Sequence, residues 1–146
     1  MKSDSIPIIG AWKLVTFEFR KTDGSVIYPY GEEAQGSIIY TEAGRYSAQL
    51  MRVDRPRLES GDQMKATPEE MEANYKGSIS YFGTYEFDPE NGQIIHHVEA
   101  SIFPNMEGTY QKRFYKLSGN MLQLKTPTFK LNGEMAEGVL LWERVG

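Results

Sequence analysis

Apolar residues alternate with polar ones along most of this chain, and the alternation is broken at regular intervals by short turn-forming clusters. Asp23-Gly24, Glu42-Ala43-Gly44, Asp88-Pro89-Glu90-Asn91-Gly92, Ser118-Gly119-Asn120 and Asn132-Gly133 each supply residues that tolerate positive φ or pre-set a turn. The runs between them have period two, which reads as half-buried strands. Eight are predicted, over residues 10–20, 36–41, 45–51, 79–87, 93–103, 108–117, 121–126 and 137–145. Eight antiparallel strands are enough to close a barrel whose interior holds one small ligand, and closure removes the exposed edges of an open sheet. The predicted fold is therefore an all-β, eight-stranded antiparallel barrel.

One stretch departs from this pattern. Thr67 can cap a helix, Pro68 suits its first position and Glu70 completes a capping box, with Met71 and Tyr75 on one face and Gly77 as the stop. This predicts one short helix, placed between the third and fourth strands. The polar linker over residues 52–66 has no strand period, and so long a loop points to a lid over the barrel mouth.

Composition narrows the class. The chain has 146 residues, the size of one domain, with nine Tyr and seven Phe spread along it as short strands require. Sixteen basic residues against twenty acidic ones give a net charge of −4, with no basic cluster of the kind a nucleic acid needs. Cysteine is absent, which excludes disulfides, thiolate nucleophiles and cysteine zinc sites. No run approaches the roughly 18 apolar residues of a membrane span, and the N-terminal residues lack a signal-peptide core. The expectations are a cytoplasmic protein with no membrane or nucleic-acid partner, of unspecified oligomeric state.

The two ends carry a resemblance. Gly10-Ala11-Trp12 opens the first strand, and Trp142-Glu143-Arg144 closes the last. This pairing resembles the calycins, in which a Gly-x-Trp motif seals the closed end of the barrel beside an aromatic or basic residue of the last strand. A closer resemblance is to the bacterial and fungal lipocalin-like domain, carried by Tyr28-Pro29-Tyr30-Gly31, Ser47 to Arg52, Asp54-Arg55-Pro56-Arg57, His96-His97-Val98-Glu99 and Phe103-Pro104-Asn105. These blocks span nearly the whole chain. The resemblance implies a barrel that encloses a small molecule, without a settled activity.

Charged residues mark the outer face of each strand and so identify the inner one. Lys112 and Lys116 turn Gln111, Arg113 and Tyr115 inward, and Glu86 and Asp88 do the same for Tyr81, Tyr85 and Phe87. Lys13 places Trp12, Leu14, Thr16 and Glu18 inside. On the fifth strand His96 belongs to the apolar face with Ile94 and Val98; a bulge would instead bring in His97 and Glu99, the second choice. Tyr46 completes the expected ligand-binding set of Tyr81, Tyr85, Phe87, His96, Gln111, Arg113 and Tyr115. Such a cavity has aromatic walls and sparse polar groups, as ligand pockets do.

Several readings of this set stay open. His96 is either a general base, with Tyr85 and Arg113 as its catalytic partners, or a hydrogen-bonded interior histidine that contacts a ligand. Arg113 needs an anion, which is either Glu18 or Glu99, or else a carboxylate or enolate on the ligand. His96 and His97 point to opposite faces and cannot share a metal ion, so no metal and no cofactor are expected. Ser and Thr lie in no nucleophile elbow, and no glycine-rich phosphate loop is present. The preferred reading is a barrel binding an aromatic, polyketide-like or fatty molecule. The alternatives are a cofactor-free isomerase, cyclase or dehydratase using His96, a tyrosine and Arg113, and an interaction module with a packed interior.

Overall fold

The computed structural model describes residues 6–146. Its strands are β1 (Gly10–Lys21), β2 (Val26–Ile27), β3 (Gln35–Tyr40), β4 (Arg45–Met51), β5 (Ser78–Asp88), β6 (Gln93–Ser101), β7 (Tyr110–Ser118), β8 (Met121–Lys125), β9 (Phe129–Leu131) and β10 (Glu134–Arg144), with one α-helix, α1 (Pro68–Lys76). The strands form one antiparallel sheet in the order β2-β1-β3-β4-β5-β6-β7-β8-β10-β9, which β1 closes by pairing with β10. Eight strands make the barrel wall; β2 and β9 are short additions at its rim.

The helix position is corrected. It follows β4, not the third strand, because the two-residue β2 takes second place in the order. Two residues are too few to show a period, so neither β2 nor the three-residue β9 was legible in the sequence. The cap itself forms as the sequence dictates. Thr67 Oγ1 accepts from the Glu70 N–H at 3.1 Å, and Glu70 Oε1 accepts from the Thr67 N–H at 2.9 Å. Yet Met71 and Tyr75 remain exposed, so α1 rests on β5 without burying an apolar face.

A second correction concerns β1. Its register with β10 slips between Leu14 and Thr16, leaving Val15 as an extra residue. The bulge reverses the alternation beyond it. Trp12 and Leu14 face inward, but Phe17 opposite Leu140 and Phe19 opposite Gly138 take the inner positions expected of Thr16 and Glu18. Glu18 instead pairs with Arg20 at 3.2 Å.

The sealed end is built from both termini of the barrel. Trp12 is fully buried, its Nε1 donating to Ile8 O at 2.9 Å. The Arg144 guanidinium lies 4.3 Å over the indole and donates to the carbonyls of Ile9 and Pro7. Gly10 makes this crossing possible: it has φ +134°, and a Cβ there would stand 2.5 Å from Gly146 O.

Candidate functional site

The deepest polar residue is His96, on the inner face of β6 and 1% exposed. Four tyrosines from three strands surround it. Tyr46 of β4 stacks on the imidazole at 4.4 Å between ring centroids, and Tyr40 of β3 lies nearly parallel at 5.7 Å. The Tyr40 hydroxyl is 2.7 Å from His96 Nε2. Tyr85 packs edge-on to Tyr40, and Tyr81 edge-on to Tyr46. Alternation puts all of these on one face, since His96 pairs with Tyr85, Tyr40 with Tyr46, and Tyr81 with Ala48.

A bulge in β6 lies beyond His96 and leaves it on the inner face. Gly83 pairs with Val98 and Phe82 with Ala100, so Glu99 is the extra residue and the parity change falls beyond His96. Gly83 is required there, because a Cβ would stand far inside contact distance of the His97 carbonyl. His97 and Glu99 lie on the outer face. His97 stacks on Tyr110 at 4.1 Å and approaches Glu86 at 2.6 Å, while Glu99 forms a two-bond ion pair with Arg45 at 2.9 and 3.0 Å.

Burial sets the chemistry of the cluster. With no solvent to stabilise an imidazolium, and with Arg113 and then His97 adding unfavourable charge, the His96 pKa falls to about 3. The imidazole is neutral at physiological pH. Burial also raises the hydroxyl pKa values of Tyr40 and Tyr46. Tyr85 is committed to structure, donating to Thr41 O at 2.7 Å. Within this cluster, His96 Nδ1 and the Tyr46 hydroxyl are buried and have no hydrogen-bond partner among the described residues, and Trp142 Nε1 is in the same position on β10. Such atoms normally find one, in protein, water or ligand.

The β7 side of the interior differs. Gln111 lies opposite His96, Arg113 opposite Ile94 and Tyr115 opposite Leu124, so all three point inward, yet each is only half-buried. Tyr115 meets Phe87 of β5 at 5.1 Å, and Gln111 Nε2 donates to Thr109 Oγ1 at 2.8 Å. Neither carboxylate expected as a partner for Arg113 stands beside it: Glu18 is paired with Arg20 and Glu99 with Arg45. No other ion pair to Arg113 occurs among the described residues. Its Nη1 donates to Lys112 O at 2.8 Å.

Openings lie at the mouth and on the flank. Tyr30, Tyr75, Ile79, Ile102 and Phe103 line a mouth cleft of about 260 Å³, so α1 and the loop after β6 both contribute to its rim. A larger cleft of about 660 Å³ opens where the β1–β3 ladder stops at Lys13 and Ser37; Leu14, Ala34, Gly36 and Met51 are among its walls. Neither opening touches His96.

Sequence reasoning names Tyr46, Tyr81, Tyr85 and His96 but misses Tyr40, whose hydroxyl is the one bonded to the imidazole. The signal was present, because Gly36, Ile38 and Tyr40 share one parity on their strand. Phe17 and Phe19 were hidden by the bulge.

Comparison with known proteins agrees with this architecture. A family model described as a lipocalin-like domain matches residues 9–145. The chain is also 30% identical over 106 residues to the 4'-hydroxy-3'-methoxypropiophenone carrier protein ppsC of Aspergillus oryzae, an alignment covering 68% of this chain and 96% of that protein.

Proposed function

Since this chain belongs to the lipocalin-like domain family, we propose that it is a carrier-type binding protein whose barrel accepts a small aromatic molecule bearing a carbonyl oxygen. One observation carries the reading. His96 Nδ1 and the Tyr46 hydroxyl are buried and unpartnered among aromatic rings. If Tyr40 donates its hydroxyl proton to Nε2, the imidazole carries its own proton on Nδ1, and that N–H and the Tyr46 O–H become two donors for one acceptor. A ketone oxygen offers two lone pairs, and its aryl ring suits the tyrosine walls. The relative's name supports the class, since a propiophenone is an aryl ketone.

Proton-transfer catalysis is less well served. A histidine with a pKa of about 3 is a weak base at neutral pH, and tyrosines with raised pKa values are weak acids. The cytoplasmic location expected from the sequence is part of the same proposal, and cell fractionation checks it.

The test is titration of the purified protein with 4'-hydroxy-3'-methoxypropiophenone and other aryl ketones, followed by calorimetry. Saturable one-to-one binding is expected, weakened about tenfold by Tyr46→Phe, the loss of one hydrogen bond in a water-poor site. Absence of saturable binding to every aryl ketone would overturn the proposal.

A further inference from the structure

Arg113 is a strong cation on the inner face of the barrel with no counter-charge among the described residues. It points inward from β7, opposite the fully buried Ile94. Of the titratable groups facing the same interior, His96 is neutral and the buried Tyr40 and Tyr46 hydroxyls, their pKa values raised, stay protonated, while Glu18 and Glu99 are paired with Arg20 and Arg45.

The position of Arg113 follows from a gap in that wall. The Tyr115 N–H bonds Gly92 O across to β6, so odd-numbered backbone groups of β7 face β6 and even-numbered ones face β8. Pairing of β7 with β8 runs only from Phe114 to Ser118, because β8 ends at Lys125. The Lys112 carbonyl therefore has no strand partner, and Arg113 Nη1 takes it at 2.8 Å. This bond holds the guanidinium at the gap. Its Nε–H and Nη2 hydrogens make no hydrogen bond among the described residues. On a strand-paired face, Arg113 and His96 are diagonal neighbours, about 7–8 Å apart at the backbone, a span that one substituted benzene ring can bridge.

We propose that Arg113 is the anchor for an anionic oxygen on the ligand, and that the barrel takes an acidic phenol as its phenolate. The inference rests on the carrier reading above and names the class of molecule carried: an aryl ketone whose ring also bears an ionisable hydroxyl. A para carbonyl acidifies such a phenol by drawing the phenolate charge toward the ketone oxygen, where the His96 and Tyr46 donors favour it further. On binding, the phenol O–H bond breaks, the oxygen keeps the electron pair, and the proton passes to solvent. His96 does not receive it, since its imidazole stays neutral. A guanidinium meeting phenolate makes a charge-assisted hydrogen bond, stronger than one to the neutral phenol.

Two probes separate this inference from the reading beneath it: 4'-hydroxy-3'-methoxypropiophenone, and its 4'-methyl ether, which cannot ionise. The absorption of the bound phenol is recorded at a pH where the free phenol is mostly protonated. Wild type is expected to show the long-wavelength phenolate band and to bind the phenol about tenfold or more tightly than the ether. Arg113→Met should remove the band and the preference while leaving ether affinity within about threefold, and Arg113→Lys should retain part of both. Far-ultraviolet circular dichroism and melting of each variant establish that it is folded. If wild type binds phenol and ether equally with no phenolate band, or if folded Arg113→Met behaves as wild type, the anchor is overturned and the carrier reading stands. If neither probe binds, the carrier reading fails and takes the anchor with it.

Discussion

The two sides of the barrel interior are built to different standards. On β3 to β6 the inward residues Ile38, Tyr40, Tyr46, Ala48, Tyr81, Tyr85, Ile94, His96 and Val98 are buried, and those toward the strand ends, such as Ile79 and Phe87, are half-buried. On β7 the inward Gln111, Arg113 and Tyr115 keep accessible surface, and so do Phe17 and Phe19 beyond the β1 bulge. The wall is continuous on the first side and interrupted on the second, where β8 stops short of the upper half of β7. A closely packed wall holds polar donors in fixed positions, and an interrupted wall beside it gives a molecule the way in to reach them. This barrel has both, keeping a rigid aromatic wall with two unmet polar atoms on one side and a charged, reachable edge on the other.

Substitutions should expose that division, and the largest effect belongs to the sealed end that supports the packed side. Trp12→Ala should cost about 3–5 kcal/mol in urea denaturation, the range for deleting a buried indole. A loss below about 1 kcal/mol would mean the end is not a closed core.

The next effect is a pH dependence. His96 has a pKa of about 3 when folded, against about 6.5 in the unfolded chain. As pH falls below 6.5 the unfolded chain takes up a proton that the folded protein refuses, so stability declines, by up to about 1.4 kcal/mol per pH unit, until the folded pKa is reached. The lowered carboxylates Asp23, Asp54, Glu70 and Glu99 withdraw their contributions only at lower pH, below about 4.5. Urea midpoints between pH 7 and 5 should fall more steeply for wild type than for His96→Gln. Parallel slopes would show that His96 is not held neutral in the interior.

A smaller cost is expected for Tyr40→Phe, which leaves His96 Nε2 without its partner: about 1–3 kcal/mol, with the ring stacking intact. Smallest of all is Gln111→Ala on the accessible side, which should change stability by less than about 1 kcal/mol, because the residue keeps solvent contact. Equal costs for Tyr40→Phe and Gln111→Ala in the same denaturation series would erase the distinction between the two sides.

Legibility in the sequence followed the same physics. Period-two alternation and turn residues made the barrel strands readable, and Thr67 with Glu70 made α1 readable from its cap alone. What could not be read were events that add one residue to a strand. Val15 carries nothing that distinguishes a bulge from a regular outward position, so Thr16 and Glu18 were assigned the inner face that Phe17 and Phe19 occupy. Glu99 is the corresponding residue in β6, though there Gly83 offers a clue, a missing side chain where two backbones approach. Arg113 was legible as an inward charge, but its lack of a partner was not. That depends on where Glu18 and Glu99 point, and both belong to the bulged segments.

The pairing of β1 with β10 has a consequence for the protein as it is being made. Nine ladder partners join residues 12–21 to residues 136–144, across almost the whole length of the chain. Strands β3 to β8 pair in chain order, through turns or, between β4 and β5, across the α1 segment, but the last seam has to wait until residue 144 has left the ribosome. Until then the free edges of β1 and β8 are open to pairing with other chains. A nascent chain stalled within β10 is the form of this protein most exposed to aggregation, and chaperone capture should peak there.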